Sequence, residues 1–197
     1  MTPHRLSSLL TCALFVTVIG CSAGDKAAVD ADGQVVRDPA AAASLNAEAA
    51  ELIARGELDA AAPLLRDAAR LDPGSASVLN NFATLQYQRG EYYEAAWAYR
   101  RAAELRPEDA RIWSNLGLVL EAGREYDDAA AMHAKAADLE PDDVTYQRRL
   151  ARARVLAGDD DATLKALLHD LIARGEAGHG DGKWNAWAER QLDALGD

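Results

Sequence analysis

The stretch WSNLGLVLEAGREYDDAAAMHAKAADLEP, residues 113–141, reads as two helices joined by a tight turn. Trp113, Leu116 and Gly117 fall at i, i+3, i+4, the spacing that sets side chains on one helical face. Gly123 breaks that run. Tyr126, Ala129, His133 and Ala136 then share one face of a second helix, which Pro141 stops. Several of the shared positions are small, and small side chains let two helices cross closely.

The pattern recurs outward every 34 residues, as Pro73, Pro107 and Pro141 mark. Ala49, Ala83, Gly117 and Ala151 keep the period, and so do Ala61, Ala95 and Ala129. Large residues form columns too: Leu45, Leu79, Trp113; Leu58, Tyr92, Tyr126; Leu65, Tyr99, His133. The spacing divides 41–175 into three clear units, 42–75, 76–109 and 110–143, and a degenerate fourth, 144–175. In the second unit it predicts helices over 78–89 and 92–105, with Asp109 as N-cap of the next helix. Pro63 is expected to shorten its helix. The fourth unit keeps Leu150, Ala151, Gly158 and Leu167 but has Thr163 and Asp170 where earlier units have alanine.

This spacing and residue pattern resembles the tetratricopeptide repeat family. The resemblance implies an all-α fold, a right-handed α-solenoid of helix-turn-helix repeats. Residues 176–197 read as a glycine-rich loop and a capping helix, since Trp184, Trp187, Ala188, Gln191, Leu192 and Leu195 share one face. A solenoid's last unit otherwise exposes its apolar side. The alternative is that these tryptophans lie on a membrane surface.

Composition agrees with an all-helical chain. Of the 197 residues 49 % are hydrophobic, 43 are alanine, the best helix former, and 6 % are aromatic. The net charge of −11 argues against nucleic acid as a partner. Residues 1–20 join a basic start to a short apolar run, Leu6 to Ile19, too brief for the ~30 Å core of a bilayer and fitting for a signal peptide. The run ends Val18-Ile19-Gly20-Cys21, which resembles the bacterial lipoprotein cleavage box. That implies cleavage before Cys21, acylation of Cys21, including palmitate, and retention in the cell envelope. Ser22 after the cysteine favours the outer membrane, facing the periplasm. Residues 21–40 are small and polar and read as a flexible tether.

No catalytic constellation emerges, and neither a metal nor a cofactor is expected. His169, His179 and Asp181 lack the spacing of a metal site, and the glycines around His179 lack the serine or threonine of a phosphate loop. A binding surface remains. In the resembled family the first helices of successive units line a concave groove that holds partner polypeptides. Carried over, the groove positions include Asn46, Asn80, Asn81, Thr84, Tyr87, Arg111, Asn115, Leu118, Arg148, Arg149 and Arg152. Asparagine amides suit a peptide backbone, or instead satisfy the turn between helices. Asn81 and Arg111 match part of the clamp by which chaperone-binding members hold a terminal carboxylate, but Asn46, Ala50 and Asn115 stand at its remaining basic positions. Arg148 and Arg152 suit an acidic partner segment, unless Glu140, Asp142 and Asp143 neutralise them. Tyr93 and Trp97, four apart and off the buried columns, form a possible contact patch on the convex side.

The expectation is a membrane-anchored, non-enzymatic adaptor of the bacterial cell envelope that binds envelope proteins. Two lipoprotein groups of similar architecture set the candidate roles: pilus secretin assembly and recruitment of peptidoglycan enzymes. The alternative is a structural envelope protein that self-associates through Tyr93 and Trp97.

Overall fold

The computed structural model describes residues 37–175 and 182–196. The cleavage box, Cys21, most of the expected tether and the core of the glycine-rich loop lie outside the described residues. Among the described residues every regular element is a helix: α1 (Pro39–Ala54), α2 (Leu58–Leu71), α3 (Ala76–Gln88), α4 (Tyr92–Leu105), α5 (Ala110–Ala122), α6 (Tyr126–Leu139), α7 (Val144–Ala157), α8 (Ala162–Arg174) and α9 (Gly182–Ala194). None is long and apolar enough to cross a membrane. The helices form a helical-repeat solenoid. They pair as α1–α2, α3–α4 and α5–α6, and the odd-numbered helices α1, α3, α5 and α7 lie side by side.

Local chemistry sets the helix ends. Helix α1 begins at Pro39, inside the expected tether, because Asp38 accepts a hydrogen bond from the Ala41 amide (2.9 Å) and proline suits a first helical position. Asp109, Asp143 and Asp161 cap α5, α7 and α8 in the same way. Helix α2 is not shortened by Pro63 and has the 14 residues of α4 and α6. Pro63 and Asp59, whose carbonyl loses its helical donor, both stand on the exposed side, where water replaces the missing bond.

Small buried residues hold each pair together. Ala49, Ala61, Ala83, Ala95 and Ala129 are all 0 % exposed, and Gly117 is buried opposite α6. Larger side chains fill the gaps between units, Leu65, Leu85, Leu116 and Tyr99 among them. Tyr92, read as part of a packed column, is half exposed at the start of α4, with its ring 5.9 Å from that of Tyr87.

The fourth unit departs from the period for a visible reason. The turn 158–161 has four residues where 55–57, 89–91 and 123–125 have three. The buried face of α8 therefore falls one residue late, on Leu164, Leu168 and Leu171, while Thr163 and Asp170 face solvent and Leu167 is only half-buried. Leucines thus occupy the places that alanines fill in earlier hairpins. Helix α7 packs on α6 as closely as helices pack within a repeat, but its contact with α8 is much smaller. Helix α9 closes the stack as a cap: Ala188 and Leu192 are buried against Ala151, Leu164, Leu168 and Leu171, with Trp184, Trp187 and Leu195 packed around them.

The turns α1–α2, α3–α4 and α5–α6 share one hydrogen bond, from the second residue past the cap to the third-last helical carbonyl: Glu57 to Leu52, Glu91 to Gln86 and Glu125 to Leu120, each 2.9 Å. This closure needs a left-handed residue before the glutamate. Gly56 (φ +78°) and Gly90 (φ +80°) supply it, but in the third turn it is Arg124 (φ +66°), while Gly123 is ordinary helix (φ −75°). A side chain there costs about 1–2 kcal/mol, against about 0.5–1 kcal/mol for the added freedom of glycine when unfolded. Arg124→Gly is expected to stabilise the fold by about 0.5–1 kcal/mol in urea denaturation, and a loss of stability would contradict this account of the turn.

Candidate functional site

The odd-numbered helices present their outward faces to one groove, and the groove divides into two pockets of different chemistry. The first, about 290 Å³, lies between α3 and α5 and is lined by Ser77, Asn80, Asn81, Arg106, Asp109, Arg111, Ile112 and Asn115. The second, about 520 Å³, lies between α5, α7 and α9 and is lined by Leu118, Thr145, Arg148, Arg149, Arg152, Lys183, Trp184 and Trp187.

In the first pocket the amides form a ladder between helices. Asn81 donates to the Asn46 side chain (3.0 Å) and accepts from Asn80 (3.2 Å). These bonds join α1 to α3 rather than satisfy a turn, and they bury Asn46. The Asn115 side chain makes no hydrogen bond among the described residues. Arg111 grips its own cap, Asp109, with two bonds of 3.1 and 2.9 Å. The guanidinium's hydrogen bond holds the Asp109 carboxyl below the usual carboxylate range, despite partial burial. Arg111 is thus paired with the cap of its own helix while most of its side chain stays exposed. Thr84 donates to the Asn80 carbonyl (2.9 Å) and accepts from the Tyr99 hydroxyl (2.8 Å). Burial pushes that phenol up to about 12. Tyr87 packs against the core beside Tyr92. Thr84 and Tyr87, read as groove residues, also join α3 to α4.

Behind the second pocket runs a buried polar chain. Arg149 donates to the Ser114 hydroxyl (2.6 Å), Ser114 meets His133 Nδ1 (3.4 Å), and His133 Nε2 meets Glu121 (3.1 Å), whose other oxygen accepts from Arg152. With the His133 proton on Nε2, Ser114 donates to Nδ1 and the imidazole donates to Glu121, so the donors converge on that carboxylate from both sides. Hydroxyl, imidazole and carboxylate stand in the order of a nucleophilic triad. Yet Ser114 and His133 are both 0 % exposed, so no substrate reaches the hydroxyl, and the chain joins α5, α6 and α7 instead. Burial raises the Glu121 carboxyl, but hydrogen bonds from His133 and Arg152 outweigh it and hold the group below the usual glutamate range.

The arginines on α7 therefore differ sharply. Arg152 pairs with Glu121, and Arg154 pairs away from the groove with Asp159 and Asp161. The expected neutralisation by Glu140, Asp142 and Asp143 gives way to Glu121, which reaches Arg152 from the end of α5. Arg148 has no such partner: its Nε and Nη2 are buried without a hydrogen bond among the described residues, and its guanidinium lies 5.6 Å from the centre of the Trp184 ring. Lys183, Trp184 and Trp187 were not legible as groove residues, because only the return of α9 onto α7 brings them there. Tyr93 and Trp97 stand open to solvent on α4, at 81 % and 58 % exposure. No group of three or more His, Cys, Asp or Glu among the described residues is placed to hold a metal ion.

Residues 84–122 match the sequence model of a family described as TPR repeat. This is a TPR fold. Solved structures share the fold. The first TPR of Spaghetti (RPAP3) bound to the HSP90 peptide SRMEEVD is 17 % identical with a TM-score of 0.60, covering 64 % of this chain and 100 % of that one. A MamA crystal structure is 21 % identical with a TM-score of 0.62, covering 68 % and 73 %. An O-GlcNAc transferase mutant from Thermobaculum terrenum is 25 % identical with a TM-score of 0.61, covering 72 % of this chain but 27 % of that one. No curated protein matches the sequence.

Two consequences of the buried chain are measurable. A Cβ on Gly117 would lie 2.5 Å from His133 Cε1, in a ring held at both nitrogens. Gly117→Ala gains about 1 kcal/mol of helix propensity but overpacks by about 1–3 kcal/mol. Net destabilisation in urea is expected, whereas Gly74→Ala, with nothing closer than 3.9 Å, should stay within about 0.5 kcal/mol of the parent. Glu121→Gln should cost about 1–3 kcal/mol near neutral pH. Because the folded carboxyl titrates below its unfolded value of about 4.3, its contribution is present above that pH and fades as pH falls through the lower folded value. The gap between parent and variant should thus narrow in acid, and a constant gap from pH 7 to pH 3 would refute the ionised Glu121.

Proposed function

We propose that this protein is a non-enzymatic adaptor that holds a segment of a partner protein in its TPR groove. The observation that carries the reading is the pocket between α3 and α5, where Asn80 and Asn115 line an open cleft and suit hydrogen bonding to an extended backbone. The structural neighbour bound to a peptide supports a polypeptide ligand for such a groove. The lipobox-like end of the leader and Cys21 support a lipid-anchored protein of the bacterial cell envelope, on the outer membrane facing the periplasm. Pilus secretin assembly and recruitment of peptidoglycan enzymes are the roles this architecture suits.

Photo-crosslinking in intact membranes, followed by identification of captured proteins, tests the reading. Asn80→Ala with Asn115→Ala is expected to reduce capture at least fivefold while far-UV circular dichroism stays unchanged. Cys21→Ser should release the protein from the membrane fraction. Capture that is indifferent to the groove substitutions would overturn the adaptor reading. The exposed Tyr93–Trp97 pair favours one other reading, self-association. Concentration-dependent sedimentation abolished by Trp97→Ala would establish it, and a monomer at all concentrations is expected here.

A further inference from the structure

We propose that the cleft between α5, α7 and α9 is the specificity pocket of the groove, and that it takes a partner segment in which a carboxylate stands beside an apolar side chain. The carboxylate docks on Arg148, and the apolar group lies against Trp184 and Trp187. This deepens the adaptor reading and rests on it.

The lining holds four cationic side chains and no carboxylate, in a chain whose net charge is −11. Two of the four are already engaged in the fold, Arg149 with Ser114 and Arg152 with Glu121. Arg148 is different. Two of its nitrogens are shielded from water yet lack a hydrogen bond among the described residues, while the ring of Trp184 holds the guanidinium in place. No carboxylate among the described residues neutralises this guanidinium, and a carboxylate is the acceptor a polypeptide carries for it.

The other wall selects for something apolar. Trp184 and Trp187, on the cap helix, stand with ring centres 4.5 Å apart at 53°, both half-buried against the α7–α8 core, so they lose little freedom on binding. Leu118 continues that wall from α5. The same helix carries Asn115 into the neighbouring pocket, so a segment whose backbone runs along the asparagines is led onward to Arg148. A polyanionic nucleic acid or an anionic bilayer would face the acidic remainder of the surface. A short segment presenting one or two carboxylates avoids that repulsion.

The test uses the full chain in detergent and an acetylated, C-terminally amidated dodecapeptide alternating aspartate with leucine and phenylalanine. Binding is followed by tryptophan fluorescence and checked by calorimetry. The acidic peptide should bind at least tenfold tighter than its asparagine analogue, and added salt should weaken it. Arg148→Gln should lose tenfold or more without changing the thermal melt. Arg148→Lys, which keeps charge but not the fork, should fall between. A version ending in a free carboxylate with asparagine elsewhere distinguishes a chain terminus from side chains as the source, and tight binding of either supports the proposal. Equal binding of the neutral peptide, an unchanged affinity in Arg148→Gln, or no binding at 1 mM would overturn it. So would Arg148-dependent sedimentation of the Cys21→Ser protein with phosphatidylglycerol vesicles, which would assign the cleft to lipid. Crosslinked partners retained by Arg148→Gln but lost with the asparagine substitutions would leave the adaptor reading standing and remove this one. Peptide binding that persists while membrane capture fails would do the reverse.

Discussion

Two helices of a hairpin approach closely only where their facing side chains are small, and that constraint shapes this molecule. Alanines or glycine occupy the crossings of the first three hairpins without exposing any surface, so one three-residue turn, closed by the same backbone bond, serves all three. The repeated geometry lays α1, α3, α5 and α7 in a row and creates a groove. Where leucines replace alanines, in α8, the pair spreads and the period ends. Helix α9 then has room to return over α7 and roof the last part of the groove.

The third hairpin goes further. Its crossing residue is glycine because an imidazole, not a leucine or phenol, fills the corresponding place on α6. A buried imidazole needs partners at both nitrogens, and Ser114 and Glu121 provide them from α5. Glu121 in turn is a buried anion, and Arg152 reaches it from the next unit. One polar substitution in the core thus calls for a chain of polar residues that ends at the groove surface. Two of the groove's arginines are there in part because the interior requires them.

The columns of small and large residues were legible in the sequence because size recurs every 34 positions and packing reads size directly. Helix α4 falls where its spacing places it, at Tyr92–Leu105. What escaped depended on single insertions or on distant pairs. The longer turn before α8 moves its buried face to Leu164, Leu168 and Leu171, and no composition signal announces that shift. The left-handed residue of the third turn is Arg124 although a glycine stands beside it, because position within the turn, not residue preference, decides it. Arg148, Arg149 and Arg152 look alike in sequence; their partners lie some thirty residues away or do not exist within the described fold, and only the packing of α7 on α5 separates them.

A groove with unlike ends has a consequence for orientation. Backbone hydrogen bonds to asparagine are nearly indifferent to partner sequence, so the α3–α5 pocket alone would accept many extended segments in either direction. A shielded cation beside an aromatic wall discriminates by side chain, and it stands at one end only. A segment satisfying both pockets is fixed in register and polarity, since reversing it would take its apolar group away from Trp184 and Trp187. The acidic remainder of the chain acts in the same sense. Beyond about 8 Å in physiological salt its repulsion is screened, so it scarcely slows approach, and it acts only on a carboxylate placed close to an acidic side chain. Selectivity of this kind depends less on strong binding at one point than on the cost of every misplaced alternative.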